Sequence, residues 1–252
     1  MVFPVTPADP EAGGPAGHTY GAVAVRLDRT APAEVSAALR QIRFSGWLAP
    51  PEDGWLVAVA RPGGGTVAAG RRGVAGVAEW LSARLPATVL AIRVLADRQL
   101  ALVAWDGGEE AGRYVSDPAR EPGADEDVLA EPYGAEHAEA FAAACGRPDA
   151  GEALGEVLAE ELDPDSVIES ERLARLLRLL GLPTWLVAAA TLPRDIPTGP
   201  GSRELTRLGA GLPGVLGRLC GGAVGVLRRR RPPPPIVTDA PRGSSGMDPW
   251  LM

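Results

Sequence analysis

The sequence predicts an α+β fold: a mainly antiparallel sheet with two helices on one face, then a small helical bundle and a disordered basic tail rich in Pro and Gly. Three observations predict it. Between residues 19 and 118, short apolar runs bounded by turn residues alternate with two amphipathic patterns in the order β-α-β-β-α-β-β-β. From residue 135 the apolar spacing changes to three and four. From residue 193 Gly, Pro and Arg dominate.

Residues 1–18 are rich in Pro, Gly and Ala without periodicity and read as a disordered N-terminus. Tyr20–Leu27 reads as a strand. Thr30 is placed as an N-cap with Pro32 in the first turn, and Val35, Leu39 and Ile42 recur at helical spacing, so a helix is expected to about Phe44. Trp47-Leu48 and Gly54–Ala60 flank the turn Pro50–Gly54 and predict a hairpin. Val74, Val77, Ala78 and Leu81 mark a second helix ending near Pro86. Thr88–Leu95, Gln99–Trp105 and Gly112–Val115 then predict three strands joined at Ala96–Arg98 and Asp106–Glu109.

Residues 119–134 form an acidic linker, and residues 135–192 a helical region packed on the sheet. Helices are expected at Ala135–Cys145 and at Ala150–Leu162. A third is capped by Asp163–Ser166 and stopped by Gly181-Leu182-Pro183, with Arg172, Arg175 and Arg178 on its polar face. A short fourth spans Thr184–Ala190. Residues 193–252 are the flexible tail. It holds an amphipathic segment at 203–227 and an Arg/Pro run at 228–235.

Charge is unevenly distributed. Residues 1–105 carry ten Arg and eight acids, residues 106–171 three Arg and twenty acids, and residues 172–252 twelve Arg and four acids, within a total of −7. Every basic residue is Arg; Lys and Asn are absent. That excludes a Walker A loop, a Schiff-base lysine and a protein-kinase ATP lysine. It also excludes N-glycosylation and a Cys-His-Asn triad. Cys145 and Cys220 are too far apart for a zinc pattern or a disulfide framework. The first eighteen residues have no basic start and no apolar stretch, so no secretory signal is expected and the compartment expected is the cytoplasm of a bacterium with GC-rich codon usage.

Gly63-Gly64-Gly65-Thr66-Val67-Ala68 fits the G-x-G-x-x-A form of a dinucleotide loop, in which backbone N–H groups at a helix start hold a pyrophosphate. The helix expected after it begins only near Gly73, and Asp97 lies farther on than such loops require. His137 is the one histidine in the expected folded part, set among Glu136 and Glu139 on an exposed helix, and Cys145 reads as a small semi-buried residue. Neither reads as catalytic. No metal or cofactor is expected.

Trp47, Trp55 and Trp185 are the candidate partner-binding residues, with Trp47 and Trp55 as an exposed pair beside one hairpin turn. Arg228, Arg229, Arg230 and Arg231 are candidate contacts to an anionic membrane or to a partner. Residues 208–227 are long enough to cross a bilayer. Arg218, at about 2.5–3.5 kcal/mol near the midplane, argues instead for a segment lying in the interface.

The function expected is therefore a non-enzymatic protein-interaction module: an adaptor, a chaperone-like factor or a toxin-neutralising partner. The alternatives are a peripheral membrane protein at the inner membrane face, held by the C-terminal segment, and a nucleotide-binding enzyme using Gly63–Gly65. Nucleic acid is not expected as a partner, because the chain is acidic and carries no recognised reading module.

Overall fold

A computed structural model describes residues 17–61, 66–121, 124, 127–129, 131–161, 169–192, 196 and 198–209. Among these, seven strands form one sheet: β1 (Tyr20–Arg26), β2 (Gly46–Leu48), β3 (Trp55–Ala60), β4 (Val89–Leu95), β5 (Gln99–Asp106), β6 (Glu109–Val115) and β7 (Thr206–Leu208). Their order is β6-β5-β4-β1-β3-β2-β7, and every neighbouring pair is antiparallel. The helices are α1 (Pro32–Gln41), α2 (Val74–Ser82), α3 (Ala138–Ala144), α4 (Gly151–Ala159) and α5 (Glu169–Leu180). A 3₁₀ segment, Thr184–Thr191, comes after α5.

The first six elements run β1-α1-β2-β3-α2-β4, with β4-β1-β3-β2 side by side. This is a doubled split βαβ, the ferredoxin-like connectivity. Two antiparallel strands, β5 and β6, extend the sheet beyond β4, and β7 extends it beyond β2. The tail expected from residue 193 therefore contributes an edge strand. Leu205 and Leu208, which fit two turns of an amphipathic helix, are both buried at that edge. The rest of the 203–227 segment, the Arg228–Arg231 cluster and the N-terminus up to residue 16 lie outside the described residues.

Strand alternation divides the core in two. Val23, Val25, Leu56, Val89 and Trp105 face α1 and α2, where Val35, Leu39, Val77 and Leu81 meet them. Tyr20, Ala24, Val57, Ile92 and Leu102 face the opposite side, met by Phe141, Leu154, Leu173 and Leu177 of α3, α4 and α5. Each buried Leu or Val contributes about 1.5–3 kcal/mol relative to exposure. Strands such as Leu100–Trp105 are buried residue after residue because helices cover both faces.

Helix α1 begins at Pro32, whose missing N–H costs nothing there, and Glu34 accepts a hydrogen bond from the Ala31 backbone at 3.0 Å. The cap is thus Ala31, one residue after Thr30. The hairpins expected at Pro50–Gly54, Ala96–Arg98 and Asp106–Glu109 all form. At the second of these, Ala96 and Asp97 are both left-handed, with φ of 49° and 52°. That turn anchors α5: the Glu169 N–H donates to the Asp97 carbonyl at 2.9 Å, and the Asp97 carboxylate accepts from Ser170 Oγ and from the His18 N–H.

One expectation about α5 is overturned. The sequence reading places Arg172 on a polar face with Arg175 and Arg178, but in the structure it is buried. Six residues of helix turn through about 240° net, so Arg172 and Arg178 point about 120° apart. Arg172 faces the sheet, where it donates to Tyr114 Oη and to the Glu160 carbonyl and pairs with Glu169 at 3.6 Å. Tyr114 in turn donates to the Leu158 carbonyl at 3.0 Å.

Candidate functional site

Four separate stretches of chain converge at the other end of α5. They are the end of β1, the β2–β3 turn, the end of α3 and the end of α5 with its adjoining turn. Together they enclose an open cleft of about 690 Å³, a size that suits a small ligand or a peptide segment.

The helix ends have a sequence cause. Gly146 and Gly181 close α3 and α5 with φ of 73° and 68°, the left-handed conformation that ends a helix. The last carbonyls of α3 accept from the Cys145, Gly146 and Arg147 N–H groups and those of α5 from Gly181 and Leu182, so each end brings only its partial negative charge to the cleft. Arg26, at the end of β1, donates from Nη1 to the Ala144 carbonyl at 3.1 Å. Its guanidinium lies so close to Gly146 that a Cβ there would be 2.5 Å from Nη2. Arg147 approaches Gly181 more loosely, since a Cβ there would be 3.4 Å from Nη1, and its Nε lies 3.6 Å from exposed Asp149.

Electrostatically the cleft is balanced rather than basic. Arg26, Arg147 and Arg178 line it, with Asp28 and Asp53. The two helix ends add about −0.5 each, so positive and negative contributions nearly cancel. Most of these charges are engaged. Arg26 pairs with Asp28 at 3.4 Å, and Asp28 with Arg29 at 3.8 Å. The side chains of Arg178 and Asp53, both exposed, form no ion pair or hydrogen bond with another described residue. The lining also includes side chains that are almost fully buried: Trp55, Leu180, Leu182 and Cys145. Burial pushes the Cys145 thiol up to about 12, against a smaller opposing effect of Arg26. That shift favours the neutral thiol over the reactive thiolate near neutral pH.

The three candidate tryptophans share one face of the sheet, and they are not an exposed pair. Trp55 is buried and forms part of the cleft floor; it lies opposite Arg26 and is covered by the helical layer. Trp185 is also buried, and its Nε1 donates to Glu52 at 2.8 Å, which fixes the turn that carries Asp53. Trp47 is partly exposed, opposite Val59 and Arg207, and does not line the cleft. Sequence reasoning misses the cleft arginines: of the three, it singles out only Arg178, and that as part of the polar face of its helix.

His137 stands elsewhere. It is half-buried, with Nδ1 2.9 Å from the Arg113 carbonyl on the outer side of β6, beside the bridge between Val115 and Tyr133. There it occupies backbone groups of a sheet edge that would otherwise offer them to another chain. Histidine and thiol are therefore not brought into one pocket.

The Gly63–Gly65 loop lies outside the described residues. The chain immediately after it departs from the pattern of a dinucleotide loop: Ala68, the third motif position, forms a β-bridge with Arg72, and α2 starts only at Val74. Among the described residues, no group of three or more His, Cys, Asp or Glu is placed to hold a metal ion. No helix of these residues is long and apolar enough to cross a membrane. No family model, curated protein or solved structure matches the chain.

Proposed function

We propose that this chain is a non-enzymatic protein-interaction module and that the cleft at the end of α5 is its docking surface. The observation that carries this reading is the polar inventory of the cleft. Three of its ionisable groups are guanidiniums, which hold their proton at any physiological pH. Burial favours the neutral form of its one thiol. Together with two exposed carboxylates, Asp28 and Asp53, these groups form a set suited to recognising charge and shape. Trp55 and Trp185 serve the site from beneath, one as its floor and the other by holding the hairpin turn.

The test is affinity capture from native extract with the full chain and with the double variant R147E/R178E. Both side chains are exposed, so the variant is expected to keep its circular dichroism spectrum and thermal midpoint. A protein retained in stoichiometric amount by the wild type and lost from the variant is the predicted result. Equal retention by both, or no retained protein at all, contradicts the reading.

A further inference from the structure

We propose that the cleft selects a peptide segment of mixed charge, one that carries both a carboxylate and a basic group. The carboxylate meets Arg178 and the basic group meets Asp53. This inference rests on the interaction-module reading and specifies its ligand.

Three observations lead to it. First, the cleft is close to neutral in sum, because two helix ends and two carboxylates offset three guanidiniums. A purely anionic ligand would gain from Arg178 and lose against Asp53 and the two helix ends. Second, the charges available to a ligand are one of each sign. Arg26 is committed to Asp28 and to the Ala144 carbonyl, and Arg147 pairs with Asp149. The side chains of Arg178 and Asp53 remain without a partner among the described residues. Third, the cleft is preformed. Trp55, Leu180 and Leu182 are held by core packing and are at most 4% exposed, so little ordering cost falls on binding.

The turn that carries Asp53 is itself held in place. Asp53 has a left-handed φ of 49°, tolerated by Asp better than by most residues. Its neighbour Glu52 is tied to Trp185, and Glu52 and Trp55 bond each other through both backbone groups at 2.8 and 2.9 Å.

Isothermal titration of the full chain with three blocked peptides tests the inference: Ac-Glu-Leu-Leu-Arg-amide, Ac-Glu-Leu-Leu-Glu-amide and Ac-Arg-Leu-Leu-Arg-amide. The mixed peptide is expected to bind at least tenfold more tightly than either uniform one. R178E is expected to shift the preference to the all-basic peptide. Asp53→Asn keeps the turn conformation and is expected to erase the discrimination between the mixed and the all-acidic peptide. A change of preference reports charge recognition, which general loss of structure does not produce. Equal affinity for the three peptides, no binding of any of them, or a preference that R178E leaves unchanged overturns the inference. If the captured protein still depends on Arg147 and Arg178 in that event, the docking role stands and only the ligand assignment falls.

Discussion

At the N-terminal end of α5, Glu169 and Arg172 are each 3% exposed and lie 3.6 Å apart beneath the sheet. At the C-terminal end of the same twelve-residue helix, Arg178 stands in an open cleft with Asp53 and two helix termini. The residue types are the same and the solvent is not. At the buried end, removing ions from water costs several kcal/mol each, and the mutual attraction offsets this only while every partner is in place. At the open end water screens each charge, so a lost partner costs little and the charge stays available to a ligand. One end fixes α5 to the sheet, and the other can change without unfolding the chain.

The largest effect is expected from Arg172→Met. It leaves the Glu169 carboxyl buried without its ion partner, and the Glu160 carbonyl and the Tyr114 hydroxyl lose a donor. Urea denaturation should show a loss of about 3–5 kcal/mol, and the double variant E169Q/R172M should recover part of it. A loss below about 1 kcal/mol, the scale of an exposed pair, would erase the contrast between the two ends.

Glu169→Gln sharpens the comparison through pH. Desolvation holds the Glu169 carboxyl above its ordinary value of 4.5, although Ser116 and Arg172 pull the other way. The folded state therefore holds that proton more tightly than the unfolded chain. Stability from this group is fully present below about 4.5 and drains away as pH rises through the raised folded value. The Gln variant lacks this dependence, so its stability relative to wild type should climb as pH increases from about 4.5. Parallel stability curves for the two proteins would contradict the assignment.

A smaller loss is expected from Gly146→Ala, at the open end. The φ of 73° disfavours a Cβ by about 1–2 kcal/mol, and the new methyl would displace the Arg26 guanidinium, which can swing toward solvent. The thermal midpoint should fall modestly while the fold persists. Smallest of all is R178E, expected within about 0.5 kcal/mol of wild type in stability although it redirects ligand preference. A destabilisation comparable to that of Arg172→Met would mean that the cleft residue serves folding.

Much of the sheet is legible in the sequence because each strand is a local apolar run closed by a turn, as at Asp106–Glu109. The cover on the second face leaves a mark too: Leu100–Trp105 has no polar alternation, as a strand buried on both sides requires. Thr206–Leu208 escapes such a reading because Leu205 and Leu208 also satisfy helical spacing, and only the partner β2 decides between the two. The burial of Arg172 is different, since the helical rotation that separates it from Arg178 is fixed by geometry alone. The cleft itself has no local signal. Arg26, Asp53, Arg147 and Arg178 lie on four distant stretches, and their charges meet only once α3 and α5 end at the same edge of the sheet.

If a partner docks where these four stretches meet, hydrogen–deuterium exchange of the full chain, with and without the captured protein, will locate it directly. Slowed exchange is predicted at residues 52–55, 144–147 and 178–184. Protection confined to the β6 edge or to residues 198–209, with exchange at the cleft unchanged, would contradict the docking role.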